Sequence, residues 1–296
     1  PPPPPPPFQA EDGIRDRRKS LVGSEMCIRD SHHSYSCSVI GRQGEEMQRD
    51  YWSETCRDYR DLPSPALVGR TAGERTLRRL GTQRLSTRET PVVFVAEVAR
   101  SLFGNLVNAI TGSSLYRNAS FLLDHLGKPV FPAFVHIHEQ PLLKKALGSA
   151  PYDSEGVATR ARDIVTDGVL QGYVLNSYAA CKLGMQTTGN AGGVRNLTIE
   201  PGRHDLAGLL REMNTGLLVT DLIGFGVNIV TGDYSRGAAG FWVEGGEIQY
   251  PVDEITVAGN LKDMFMGIVA VGNDVDMRGN TRTGSVLIDR MMVAGA

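Results

Sequence analysis

Apolar and polar positions change period several times along the 296 residues, and each change marks an element. From Ser34 to Met47, Tyr35, Cys37 and Val39 alternate with polar neighbours, the period of a strand. The charged stretch Met47–Leu80 reads as helical. Ser64 caps a helix starting near Pro65, and Ala66, Val68, Ala72, Leu77 and Leu80 give it an apolar face. Pro91-Val92-Val93-Phe94-Val95 has the composition of a buried strand. Val98, Leu102, Leu106 and Ile110 then recur every four residues, which predicts a helix over Glu97–Thr111 ended by Gly112. Ser113–Leu126 continues as helix or irregular structure. Val130–Phe134 and Val135–His138 read as strands, with Pro132 at an edge or bend.

Beyond Ile164, Asp167-Gly168 signals a turn before a strand carrying Val169, Tyr173 and Leu175. Ser177–Leu183 reads as a short helix ending at Gly184, Val194–Ile199 as a strand, and Asp205–Met213 as a helix with Leu206, Leu209 and Leu210 inward. Leu217-Leu218-Val219 is a buried strand, followed by a loop with Gly224 and Gly226 and a short strand at Val227–Val230. Gly232–Gly237 is polar and glycine-bounded, as a turn would be. Ala238–Glu244 and Glu247–Val252 make a hairpin, for which Gly245-Gly246 supplies the positive φ of a two-residue turn. An apolar helix begins near Asp263, and Gly284–Asp289 is a closing strand. No helix–strand repeat runs through the chain, so the fold class is α+β: a glycine-rich, β-dominated C-terminal domain with packed helices.

Composition narrows the function classes. The formal net charge of −2 provides no basic footprint for nucleic acid. No run of about 18 apolar residues suggests a membrane span. No apolar h-region follows the N-terminal charges, as a signal peptide requires. Cys27, Cys37, Cys56 and Cys181 lack metal-ligand spacing, so they read as free thiols, Cys181 a small buried one, in a reducing, cytoplasmic setting. Pro1–Pro7 and the aperiodic residues after it resemble translated sequencing-adapter sequence. Residues 1–31 are therefore expected to be a non-native or disordered tail.

Several long strings carry a resemblance. GDYSRGAAGFWVEGGEIQYPVDEITVAGNLKDM (Gly232–Met264), MQRDY, SSLYRNASFLLD, YDSEGV and KLGMQTTGNAGG occur in order between Met47 and the C-terminus. In this the chain resembles the TldD/PmbA family of zinc metallopeptidases, and most closely its PmbA (TldE) branch. The resemblance implies that 32–88 is the end of an α+β N-terminal domain with a helical connector, the rest of that domain being truncated. It implies that 89–296 is the family's C-terminal domain. It further implies a catalytic TldD-type partner holding the zinc, unfolded peptides and peptide precursors as substrates, and a heteromeric chamber.

A zinc peptidase needs imidazoles on a helix face and a carboxylate to activate water. The catalytic branch carries HExxxH on a helix after a strand like Pro91–Val95, and a cysteine in the C-terminal domain. Here that helix holds no histidine, and Gly104, Asn105 and Ala109 stand roughly where His, Glu and His are expected. The region Gly224–Val257 has no cysteine. The resemblance therefore implies no catalytic residue and no metal ligand in this chain, and a role in holding substrate and closing the chamber. A second hypothesis is a divergent site of its own, built from His125, His136 and His138. The two latter share a strand face, and the plain alternative is a polar surface strand. Asp233, Tyr234, Ser235 and Arg236 are the candidates for contact with substrate or partner. The other reading of these four is a hydrogen-bonded turn.

Overall fold

The computed structural model describes residues 32–295, so the expected tail at 1–31 lies outside the described residues. β1 (His33–Gln43) and β2 (Glu46–Cys56) form an antiparallel hairpin paired Gln43↔Glu46 at its closed end. Helix α1 (Pro65–Arg78) packs on it through Val68, Ala72 and Thr76. Ser64 Oγ accepts the Leu67 N–H at 3.3 Å, with Pro65 in the first turn. The expected cap is thus present, but Leu77 points outward at 65% exposure.

The helical reading of Met47–Leu80 holds only for its second half. β2 does alternate, but its inward positions in the first half are polar: Gln48 and the 7%-exposed Asp50, between outward Met47, Arg49 and Tyr51. The strand period is carried by charge and amide, so it does not show as a hydrophobic period.

β3 (Arg88–Phe94) leads into α2 (Ala96–Ala109) and then the short α3 (Gly112–Tyr116). Gly112 begins α3, where it allows close packing on the later helix α4 (Ser177–Lys182). A Cβ there would lie 2.4 Å from the Ala179 Cβ. β4 (Ile137–Glu139), β5 (Arg162–Thr166), β6 (Val169–Leu170) and β7 (Leu197–Ile199) are short. Val130–Phe134 is not a strand; its first two N–H groups donate to the Gly168 carbonyl. α5 (Leu206–Met213) precedes the long strands β8 (Gly216–Ile223), β9 (Asp233–Glu244) and β10 (Glu247–Asn260). α6 (Leu261–Met266), β11 (Ile268–Val271), β12 (Thr281–Arg282) and β13 (Val286–Ala294) finish the chain.

The large sheet runs β10-β9-β8-β3-β13-β11, and β13 pairs back onto β10 through Val257↔Val293, so five strands close into a ring. Only β3 and β8 are parallel in it. Both faces of its central strands are covered. Val92, Phe94, Leu217 and Val219 join the main core with Leu102, Phe103 and Leu106 of α2. The alternate residues Val93, Leu218, Val243 and Leu287 pack on Leu209, Leu210 and Met213 of α5. That double burial explains why the strands read as unbroken apolar runs. At Gly240 the two strands come too close for a side chain: a Cβ would sit 1.9 Å from the Leu218 carbonyl oxygen. The hairpin turn takes positive φ at Gly245 (62°) and Gly246 (78°), as expected. The second sheet has order β12-β7-β4-β5-β6. Among the described residues no helix is long and apolar enough to cross a membrane.

Two expectations for residues 227–237 are corrected by the structure. Val227–Val230 forms a single bridge, Val227↔Tyr234, rather than a strand. The supposed turn Gly232–Gly237 is mostly the beginning of β9, pairing Asp233↔Asn260 through Gly237↔Thr256.

Candidate functional site

A cleft of about 330 Å³ lies between the hairpin with α1 on one side and the strand ring with α2 on the other. Glu97 sits in the first turn of α2, where the helix N-terminus favours an anion. The turn is fixed from below: Ser285 Oγ accepts the Ala96 N–H at 3.1 Å and in turn donates to Asp274. Two guanidiniums grip Glu97. Arg75 from α1 reaches one carboxylate oxygen at 2.6 Å, and Arg278, from the β11–β12 connection, reaches the other at 3.0 Å. Both cations also face Trp52 of β2, Arg278 at 3.8 Å and Arg75 at 5.1 Å from the ring centre.

The charges continue outward on both sides. Arg278 Nε lies 2.8 Å from Asp276, which Arg100 approaches to 3.8 Å. Burial pushes the Asp276 carboxyl up, but the hydrogen bonds and charge of Arg278 outweigh it and hold the group below its usual range. Asp50 accepts an ion pair from Arg75 at 3.4 Å, without hydrogen-bond alignment at Nε. Arg79 joins Asp50 to Asp221 and Asp253 of the ring. The result is an ion network that ties hairpin to ring. Ser101 Oγ, one helical turn beyond Glu97, is buried at the cleft with no hydrogen-bond partner among the described residues.

The residues expected to face a zinc, Gly104, Asn105 and Ala109, do not line this cleft, and Ala109 is fully buried in the core. The helix meets the cleft with its first turn. There Ala96, Glu97 and Ser101 have the spacing of a His-Glu-x-x-x-His motif, with alanine and serine at the imidazole positions. Among the described residues the cleft lining carries no imidazole and no thiol, and its carboxylates are engaged by arginine. This donor set does not fit the family's zinc.

The three histidines of the alternative site are not brought together. His125 Nδ1 lies 2.6 Å from the Leu123 carbonyl oxygen. His136 faces Asp167 just beyond β5 (3.6 Å), whereas His138 faces Glu200 just beyond β7 (3.9 Å). Among the described residues no three His, Cys, Asp or Glu side chains gather as a metal site. Cys181, expected to be buried, is exposed.

The Asp233–Arg236 group divides. Asp233 closes a local turn, accepting from Thr231 Oγ1 at 2.6 Å and Asn260 Nδ2 at 3.2 Å. Tyr234 is 1% exposed, its hydroxyl lacks a partner among the described residues, and burial drives the phenol up to about 12 against the opposing charge of Arg236. Ser235 is exposed, and its N–H donates to the Gly226 carbonyl. Arg236 alone of the four lines the cleft, its guanidinium donating to the Leu222 carbonyl at 3.4 Å. Trp52, Arg75, Glu97 and Arg278 went unnoticed in the sequence because no local spacing links four residues from four separate segments.

The profile of the PmbA/TldA metallopeptidase C-terminal domain matches residues 87–295, and that of the central domain matches residues 23–80. The chain belongs to the PmbA/TldD metallopeptidase family. It is similar to the metalloprotease PmbA of Escherichia coli O157:H7, 53% identical over 265 residues that cover 90% of this chain and 59% of that protein. It is similar in structure to a Bacteroides thetaiotaomicron protein described as a proposed modulator of DNA gyrase. That likeness has TM-score 0.85 and 32% identity, over 90% of this chain and 60% of the other. TldE from Thermococcus kodakarensis shares the fold, with TM-score 0.79 and 22% identity over 89% of this chain and 63% of that one. The PmbA/TldD-family chain thus spans less than two thirds of the length of these relatives.

Proposed function

We propose that this chain is the non-catalytic, substrate-holding subunit of a PmbA/TldD-type metallopeptidase, acting with a TldD-type subunit that carries the zinc. The observation that carries the reading is the grip on Glu97. Arg75 holds one carboxylate oxygen at 2.6 Å and Arg278 the other at 3.0 Å, so both oxygens are engaged and neither is left over to orient a water as a general base must. Cutting is then the partner's work, and this chain contributes a wall of the chamber.

The cleft has what an extended peptide needs. β2 pairs with β1 alone among the described residues, so its other edge offers main-chain groups along Tyr51 and Ser53. Backbone pairing is indifferent to side chains, which suits unfolded peptides and peptide precursors. The Ser53 carbonyl is held by Arg278 at 3.1 Å and the Tyr51 N–H donates to the Asp50 carboxylate at 2.7 Å, so a strand would add by displacing both contacts.

The test uses a labelled unfolded peptide. This chain alone should bind it and leave it uncut, while a TldD-type partner should cut faster with this chain than without it. Changing the partner's motif glutamate to alanine should abolish the joint activity. Chelator-sensitive cleavage by this chain alone would overturn the proposal.

A further inference from the structure

A second cavity, about 310 Å³, opens where the first ends. The cleft is walled by Ser53 and Arg278; the second cavity continues along the same two segments with Thr55 and Cys56, and with Met277 and Gly279. Its third wall is the loop around Lys144 and Lys145, and Arg282 of β12 projects from the edge of the smaller sheet. Among the described residues, three cations line it and no acid does.

The charges are not equivalent. Lys145 is neutralised from outside by Asp58 at 3.2 Å and Asp61 at 2.7 Å. Lys144 and Arg282 have no acidic partner among the described residues. Arg282 is half-buried, and its Nε donates to the Met277 thioether at 3.2 Å, a weak acceptor. Burial pulls this guanidinium down from its ordinary pKa with nothing to offset it. A partly desolvated guanidinium with spare donors is costly unless an anion completes it. The wall opposite is firmly built. Arg57 donates to the carbonyls of Ala146 and Leu147 at 2.9 and 2.8 Å, and Asn196 accepts the Gly148 N–H at 2.9 Å.

We propose that this cavity is a carboxylate-binding subsite in which Arg282 and Lys144 receive a carboxylate of a peptide lying along β2. The proposal rests on the peptide-holding reading of the cleft. It gives an otherwise sequence-indifferent groove one preference: an acidic group about one to two residues beyond the stretch beside Ser53. The carboxylate comes from an Asp or Glu side chain or from the peptide's C-terminus, and both present the same two oxygens to a guanidinium.

Cys56 makes a direct test, because it is part of the cavity wall, its thiol donating to the Asp58 carbonyl at 2.8 Å, while Cys181 is exposed elsewhere. The chain is alkylated with iodoacetate, an anion, and separately with iodoacetamide, its neutral counterpart, and each cysteine is followed by peptide mass mapping. Asp58 and Asp61 also act on this thiol, so the contribution of the two cations is read from their removal. The iodoacetate-to-iodoacetamide rate ratio at Cys56 should fall by roughly three- to tenfold in Arg282→Ala with Lys144→Ala, and by less in Arg282→Ala alone, while the ratio at Cys181 stays constant. A Cys56 ratio unchanged in the double variant overturns the subsite.

Fluorescence anisotropy then separates the sources with three peptides: acidic with an amidated end, neutral with a free end, and neutral with an amidated end. Tighter binding of the first assigns a side chain, and of the second a terminus. Equal binding of all three overturns the subsite even if the cleft holds peptide. If none binds, the peptide-holding reading fails, and the Cys56 ratio still decides whether the cavity takes a carboxylate.

Discussion

Arg278 lies over Trp52, its Cζ 3.8 Å from the ring centre, and from there reaches Glu97, Asp276 and the Ser53 carbonyl. One guanidinium therefore joins β2, α2 and its own loop. It is 19% exposed, so its pairs are only partly screened. Arg278→Ala leaves Glu97 with Arg75 alone and Asp276 with a distant Arg100. The expected loss is about 3 kcal/mol in urea unfolding. A Trp52→Leu and Arg278→Leu cycle should give a coupling near 1 kcal/mol. An Arg278→Ala loss below about 1 kcal/mol would show the network to be ornamental to stability.

Acid should act on the same network. Asp276 is held below its ordinary range by Arg278 despite burial, and Asp153 below its own by backbone N–H groups of Ala191, Val157 and Glu155 despite burial. A depressed carboxyl contributes stability in full above its unfolded pKa, about 4, and loses it as pH falls through the lower folded value. Stability should hold steady near neutrality and decline below about pH 4. Asp276→Asn should lower the plateau and flatten the decline. An unchanged acid limb in that variant would count against the assignment.

How much of this was legible beforehand depended on where the periodic signal came from. The strands β3 and β8, with Val92-Val93-Phe94 and Leu217-Leu218-Val219, stood out because both their faces are buried. The Gly245-Gly246 hairpin stood out because its φ values require glycine. The strand β2 did not, since its inward side chains are polar: Asp50 pairs with Arg75 of α1 and Gln48 donates to Asp253, rather than either packing in a core. The family was readable from long strings, and the comparisons bear it out. The cleft was not readable. Trp52, Arg75, Glu97 and Arg278 are ordinary surface types, and only the closure of hairpin against ring makes them neighbours.

Tyr234 offers a clean substitution. Its hydroxyl is buried without a hydrogen-bond partner, an arrangement that costs about 1 kcal/mol or more. Tyr234→Phe keeps the ring and removes the orphan, so the melting temperature should rise by about 2 °C. Its pKa is raised, so it contributes stability below the unfolded phenol's value of about 10, lost as pH climbs through about 12. Tyr234→Phe should therefore remove one late-titrating phenol from an absorbance titration. A fall in melting temperature would mean that the hydroxyl has a partner.

Asp233 and Arg236 are three residues apart and should behave oppositely. Asp233 is spent on Thr231 and Asn260, away from the cleft, and ties the start of β9 to the end of β10. Asp233→Ala should cost about 1 kcal/mol of stability through two lost hydrogen bonds and leave peptide affinity alone. Arg236 stands in the cleft wall, and its own contacts to the Leu222 and Ile223 carbonyls are long, 3.4 and 3.5 Å. Such donors are available to a peptide backbone or side chain, so Arg236→Ala should weaken labelled-peptide binding about fivefold with little change in melting temperature. Arg236→Lys should recover only part of it, since an ammonium keeps the charge but not the planar fork. Should Asp233→Ala be the variant that loses peptide, the binding surface lies along the β9–β10 end and the cleft reading is wrong.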